Sequence, residues 1–159
     1  TLKAGDERKV EEEFFQYIVI RLGDEQYGID IRYIDNIVRM QRITRVPKAQ
    51  SYFKGVINLR GEIVPVMSLR LKFGLPADEI TDKTRIIIIK LEQQATVGLI
   101  VDQVNEVVTL DEDSIEKTTV DANKDMAGYI SAIGKNKGEL ISLLNIQLAI
   151  TDKDTSKED

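Results

Sequence analysis

The chain repeats itself, and no other feature limits its fold as strongly. Tyr27-Gly28-Ile29-Asp30-Ile31 lines up with Val97-Gly98-Leu99-Ile100-Val101, and the same shift sets Ile34 on Val104, Ile37 on Val107 and Val38 on Val108. Further along, Glu62-Ile63-Val64-Pro65-Val66-Met67-Ser68-Leu69 lines up with Glu139-Leu140-Ile141-Ser142-Leu143-Leu144-Asn145-Ile146, with Gly55 over Gly128 and Ile57 over Ile130. Both copies alternate apolar and polar positions and favour β-branched residues, the pattern of a half-buried strand. Solenoid repeats recur every 20 to 50 residues or so, and the spacing here is longer, which points to two copies of one β unit. With about five short strands per copy, two small barrels are expected, since closing a sheet removes its exposed edges.

Taken in order, residues 14–22 read as a strand, Gly23-Asp24 as a turn and residues 26–31 as a returning strand. Residues 32–36 are expected to form one helical turn before the chain extends again. Val46-Pro47 interrupts regular pairing, because proline has no N–H for the ladder. The stretch from Tyr52 to Leu69 then reads as a β-hairpin with Arg60 at its tip and Gly61 supplying the positive φ of a tight turn. Ser68 is placed to cap a short helix that stops at Gly74. Three more strands are expected at 85–91, 96–102 and 106–110, then an acidic loop with a turn of helix at 111–125. A hairpin of 127–133 and 139–144 across the five residues Gly134 to Gly138 precedes a last short helix at 146–150. Residues 1–13 and 151–159 are charged and read as tails. The expectation is an all-β, single domain at 14–150. It is made of two intertwined barrel subdomains, about 14–83 and 84–150, with strands free to exchange between them.

The sequence holds neither cysteine nor histidine. That removes disulfides, thiolate metal sites, the commonest nucleophile–base pairs and most zinc centres, so neither a metal nor another cofactor is expected. The net charge is −5 and the basic residues are scattered among acidic ones, a poor match to nucleic acid. The apolar run Ile86-Ile87-Ile88-Ile89 falls far short of the roughly 20 residues that cross a bilayer. The charged first residues lack the apolar region of a signal peptide, and the reading is a cytoplasmic protein, monomeric on its own and not inserted in a membrane.

Paired carboxylates, Asp30 with Glu62 or Asp102 with Glu106, are the candidates for acid–base work as a small hydrolase or lyase. In alternating strands such acids more commonly sit on the wet face. Asp111-Glu112-Asp113 lacks the spacing of an EF-hand loop and reads as a solvated turn. An oligonucleotide-binding barrel would call for clustered aromatics, which the chain lacks. Arg60 stands apart, because Asn58 and Arg60 share one side of their strand while Ile57 and Leu59 share the other, giving a polar ridge over an apolar base. Aligned as above, the second copy has Ser131-Ala132-Ile133-Gly134 where the first has Asn58-Leu59-Arg60-Gly61. On that alignment the ridge is dispensable to the barrel and available for binding.

Gly55-Val56-Ile57-Asn58-Leu59-Arg60-Gly61, the following Ile63-Val64-Pro65-Val66, the earlier Tyr27-Gly28-Ile29-Asp30 and the later Val97-Gly98-Leu99-Ile100-Val101-Asp102 together resemble the CheW family of bacterial chemotaxis coupling proteins. The resemblance runs from about Phe14 to Ile150. It implies two intertwined SH3-like barrels and a non-enzymatic adaptor that joins the cytoplasmic tips of chemoreceptors to the regulatory domain of the histidine kinase CheA. Carried over by position, Ile34, Val38, Asn58 and Arg60 match the family's receptor-contacting groove, and Gly55 matches a position tied to kinase assembly. Ile57, Leu59 and Val66 join the kinase set by proximity. Many family members carry a glutamate able to pair with this arginine, whereas the matching position here is Asn36, which leaves Asp35 as an alternative acid. A chain of 159 residues leaves no room for a kinase or receiver domain beside this unit, so a stand-alone coupler is expected.

Overall fold

The structure, a computed structural model, describes residues 13–47, 50–91, 95–117 and 126–151. Among the described residues, eleven strands and two short helices follow one another as β1 (Phe14–Leu22), β2 (Glu25–Asp30), β3 (Ile34–Arg39), β4 (Phe53–Leu59), β5 (Glu62–Ser68), α1 (Leu69–Lys72), β6 (Arg85–Lys90), β7 (Thr96–Val101), β8 (Gln103–Asp111), β9 (Ile115–Lys117), β10 (Ile130–Asn136), β11 (Glu139–Leu144) and α2 (Ile146–Thr151). They form two sheets, one of six strands in the order β8-β1-β2-β11-β10-β9 and one of five in the order β3-β6-β7-β5-β4. This is the all-β pair of SH3-like units expected from the repeat. The sixth strand, β9, has its counterpart in the smaller sheet as a single bridge between Thr44 and Val56. The expected acidic loop at 111–125 therefore contains a strand at Ile115–Lys117, and residues 118–125 lie outside the described residues. The helical turn expected at 32–36 is a 3-10 turn at Ile31–Tyr33, with strand from Ile34 onward.

Sheet membership crosses between the copies. β5 runs parallel to β7, with Val66 beside Gly98, and β11 runs parallel to β2, with Leu143 beside Gly28. Every other strand pairing is antiparallel. At each parallel junction glycine is the residue that fits. A Cβ on Gly98 would come within 2.8 Å of an Ile86 methyl, and one on Gly28 within 2.8 Å of a Leu143 methyl. The sheets divide the chain at residues 31–33 and at Asp102 rather than near residue 83. β3 to β7 are contiguous, and the larger sheet gathers β1 and β2 from before them and β8 to β11 from after.

Alternation sets the three apolar clusters. Ile86 and Ile88 point into the smaller barrel with Ile57, Val64, Val66 and Ile100, while Ile87 and Ile89 point the other way, into the layer shared by both sheets. That explains four consecutive isoleucines without a membrane, because both faces of β6 are covered. The shared layer also holds Ile20, Leu22, Ile29, Leu69, Phe73, Leu99, Val101 and Ile146, and Val19, Val108, Leu110, Ile141 and Leu143 fill the larger barrel. Among the described residues no helix is long and apolar enough to cross a membrane.

α1 ties the two sheets together. Ser68 caps it by accepting from the Leu71 N–H at 3.1 Å, and Gly74 ends it at φ +79°. Its Arg70 forms a two-pronged pair with Asp102, at 2.8 Å from Nε and from Nη2, and Asp102 also accepts from the Gly23 N–H at 2.8 Å. These hydrogen bonds from the guanidinium hold the Asp102 carboxyl below the usual carboxylate range against the upward push of burial. Lys72 lies over the ring of Tyr52 at 4.3 Å and near that of Tyr129 at 5.7 Å.

Candidate functional site

The β4–β5 hairpin closes with two residues, Arg60 at φ +52° and Gly61 at φ +83°. Two consecutive positive values mark a type I′ turn, whose twist matches that of the flanking strands. Glycine takes such a conformation freely, but an arginine there is strained. Asn58 steadies the turn by accepting the Gly61 N–H on Oδ1 at 3.0 Å. Arg60 is exposed and makes no hydrogen bond or ion pair with another described residue.

The β10–β11 hairpin turns out to be the true copy, in a register different from the one the glycines suggested. It closes with Lys137 at φ +53° and Gly138 at φ +84°, not across the whole of Gly134 to Gly138. The shift that puts Glu62 on Glu139 also puts Tyr52 on Tyr129, Gly55 on Ala132, Asn58 on Lys135 and Arg60 on Lys137. The bulges agree, lying between Phe53 and Gly55 in one hairpin and between Ile130 and Ala132 in the other. So do the hydrogen bonds at the base, from the Ser68 N–H to the Tyr52 carbonyl at 2.7 Å and from the Asn145 N–H to the Tyr129 carbonyl at 2.8 Å. Pairing Arg60 with Ile133 is therefore incorrect, since the fold places a long cation at both tips. What distinguishes the first tip is guanidinium in place of ammonium and an Asn58 acceptor that Lys135 cannot supply.

Arg60 borders an open groove of about 270 Å³ whose walls include Asp35, Glu62, Lys90 and Thr96, over a floor of Leu59 and Ile88. Asn36 does not reach across to it, since its Oδ1 accepts from the neighbouring Ile37 N–H at 2.8 Å. Asp35 shares the groove with Arg60 but makes no hydrogen bond to it. Of the receptor set, Asn58 and Arg60 are exposed, while Ile34 and Val38 are half-buried, the first against the shared layer and the second in the smaller barrel. Of the kinase set, Ile57 and Val66 are interior at 2% and 0% exposure, Gly55 is buried and Leu59 is half-buried. Ile57 and Val66 offer a partner almost no side-chain surface, whereas Leu59 reaches the groove floor. A larger hollow of about 620 Å³, between Ile43, Val46, Gln50 and Phe53, lies at the opposite end of β4 from Arg60.

An arginine engages one acid of each candidate carboxylate pair. Asp30 belongs to the larger sheet and Glu62 to the smaller, and Asp30 is held by Arg32 at 2.7 Å. Burial pushes the Asp30 carboxyl up, but the Arg32 hydrogen bonds and charge bring it below its usual value. Asp102 is engaged by Arg70, and Asp111 caps the turn after β8 by accepting the Ser114 N–H at 3.0 Å. No group of three acids able to hold a metal occurs among the described residues. The Arg70–Asp102 pair escaped the reading of the sequence, although a signal existed. Asp102 aligns with Arg32 in the other copy, and a reversed charge at equivalent positions means a different partner.

The family model of the CheW-like domain matches residues 16–154. The chemotaxis protein CheW of Bacillus subtilis is 39% identical over 140 residues, covering 88% of this chain and 88% of that protein. The chemotaxis protein CheW of Helicobacter pylori is 36% identical over 147 residues, covering 91% and 86%. The crystal structure of the scaffolding protein TtCheW from Thermoanaerobacter tengcongensis superposes with a TM-score of 0.79 at 33% identity, covering 87% of this chain and 94% of that one.

Proposed function

Because the chain belongs to the CheW-like domain family, and is thereby a chemotaxis scaffold, we propose that it couples chemoreceptor tips to the histidine kinase CheA without catalysing a reaction. Signal passes through two interfaces on one rigid body, in the cytoplasm, with a single copy of the chain as the binding unit. The observation that carries this reading is Arg60, a guanidinium held at the tip of a two-residue turn with no side-chain partner among the described residues. Lys137 holds the same backbone at the other tip, so the strain belongs to the turn, and what sets Arg60 apart is a guanidinium, whose planar fork matches a carboxylate.

The receptor side is built from Asn58 and Arg60, with Ile34 and Val38 supplying the half-buried apolar flank. The kinase side takes its form from the same hairpin, whose base is fixed by Gly55 against Thr44 and whose apolar side holds Ile57, Leu59 and Val66. The engagement of Asp30 and Asp102 by arginines supports the non-catalytic reading.

A binding measurement with a purified receptor signalling fragment and the kinase regulatory domain tests the reading. Arg60→Ala should weaken receptor binding by about tenfold while kinase binding stays as in the parent. Unaltered receptor affinity would remove Arg60 from the interface, and failure of the parent chain to bind either partner would remove the adaptor role.

A further inference from the structure

The groove beside Arg60 has a counterpart in the other sheet, and there the protein bridges it with its own side chain. Following the parallel register of β11 and β2 back from Leu143 and Gly28 sets Gln26 beside Ile141. From there its Nε2 donates to Glu139 Oε1 at 2.8 Å. The same register in the smaller sheet, back from Val66 and Gly98, sets Thr96 beside Val64 and diagonal to Glu62. Threonine has no amide and is too short to span that diagonal. Glu62 is exposed, its side chain makes no hydrogen bond to another described residue, and it lines the open groove together with Thr96 and Arg60.

We infer that Glu62 and Thr96 form a notch that takes a carboxamide side chain, Asn or Gln, from the receptor tip, supplying from outside what Gln26 supplies from within on the other sheet. This rests on the adaptor reading and names one partner group for it. A carboxamide suits the notch because it offers N–H groups to the Glu62 carboxylate and a carbonyl to the neighbouring Arg60 guanidinium. Thr96 is then the specificity-determining residue, because its short side chain keeps the notch open.

Four variants of the full chain test this against a receptor signalling fragment, with the kinase regulatory domain as control. Thr96→Gln, which brings the internal bridge to this sheet, should weaken receptor binding about threefold to tenfold, as should Glu62→Ala. Lys137→Ala and Gln26→Thr, both on the other sheet, should bind like the parent. In the receptor fragment, Ala at one Asn or Gln of the tip should cost a similar factor, with no further loss when combined with Glu62→Ala. Parent-like binding by both Thr96→Gln and Glu62→Ala, with Arg60→Ala impaired, overturns the notch and leaves the adaptor intact. Parent-like binding by Arg60→Ala as well removes the assigned receptor site altogether. If only Lys or Arg replacements in the tip couple to Glu62, the carboxamide is wrong. Loss of kinase binding by Thr96→Gln overturns the notch too, by marking the effect as structural.

Discussion

At the tip of the β4–β5 hairpin Arg60 stands beside Glu62, and at the tip of β10–β11 Lys137 stands beside Glu139, on matching backbones with matching bulges and turns. Among the described residues, only Glu139 of these two acids has a side-chain partner, the amide of Gln26. The base of the hairpins differs as well. Gly55 sits at φ +140° with the Thr44 carbonyl pressed against it, whereas its counterpart is an ordinary Ala132. Both copies thus leave the tip cation open among the described residues, but one satisfies its acid from within and the other leaves its acid open above a more tightly constrained base. A duplicated fold shows in this way which features the barrel requires and which were added to one copy.

The largest expected effect comes from making the bases alike. A Cβ at Gly55 would lie 2.1 Å from the Thr44 carbonyl oxygen, in a conformation that L side chains avoid. Gly55→Ala should therefore cost about 3 kcal/mol or more in urea unfolding, against about 1 kcal/mol or less for Ala132→Gly. Equal costs would break the contrast. Next comes the link through α1, since Arg70–Asp102 is largely buried and the pair at Asp30 has an exposed Arg32. Asp102→Asn should lose about 2 kcal/mol, and Asp30→Asn distinctly less. The Asp102 carboxyl titrates below its unfolded value, so its contribution is complete above about pH 4 and vanishes as the pH falls through the depressed folded value. Acid titration of the parent and of Asp102→Asn should converge in stability at the low end. At the tips, Arg60→Ala should lower receptor affinity about tenfold, near 1.4 kcal/mol, while Lys137→Ala leaves it unchanged. Smallest of all, Asn58→Ala removes the hydrogen bond to Gly61 and should cost about 0.5–1 kcal/mol, with Lys135→Ala close to neutral in the same thermal unfolding experiment.

Much of this was legible from alternation alone. The strands around Val19 and Ile57 follow from apolar residues at period two, those around Ile87 and Leu99 from short apolar runs, and the Ser68 cap and Gly74 stop from local chemistry. β9 was not legible, because Ile115-Glu116-Lys117 is three residues with a single apolar side chain and exists by pairing with β10. The register of the second hairpin misled for a physical reason as well. Gly134 and Gly138 are both able to turn, and a glycine match suggested Gly128 for Gly55, although Gly55 answers to the Thr44 carbonyl rather than to any turn. At the site, Arg60 and Asn58 could be named from the hairpin itself. Glu62 facing Thr96 could not, because β5 and β7 are neighbours only through the exchange of strands between the copies.

That exchange bears on the order in which a growing chain can fold. β3 to β7 leave the ribosome as an unbroken series and can complete their sheet at once, whereas β1 must wait for β8, and β2 for β11. The N-terminal hairpin thus spends most of synthesis with both its edges unpaired, and closing so long a loop is slow. The barrel that carries Arg60 is finished first, as an insert, and the barrel that frames it is sealed only when the last strand arrives.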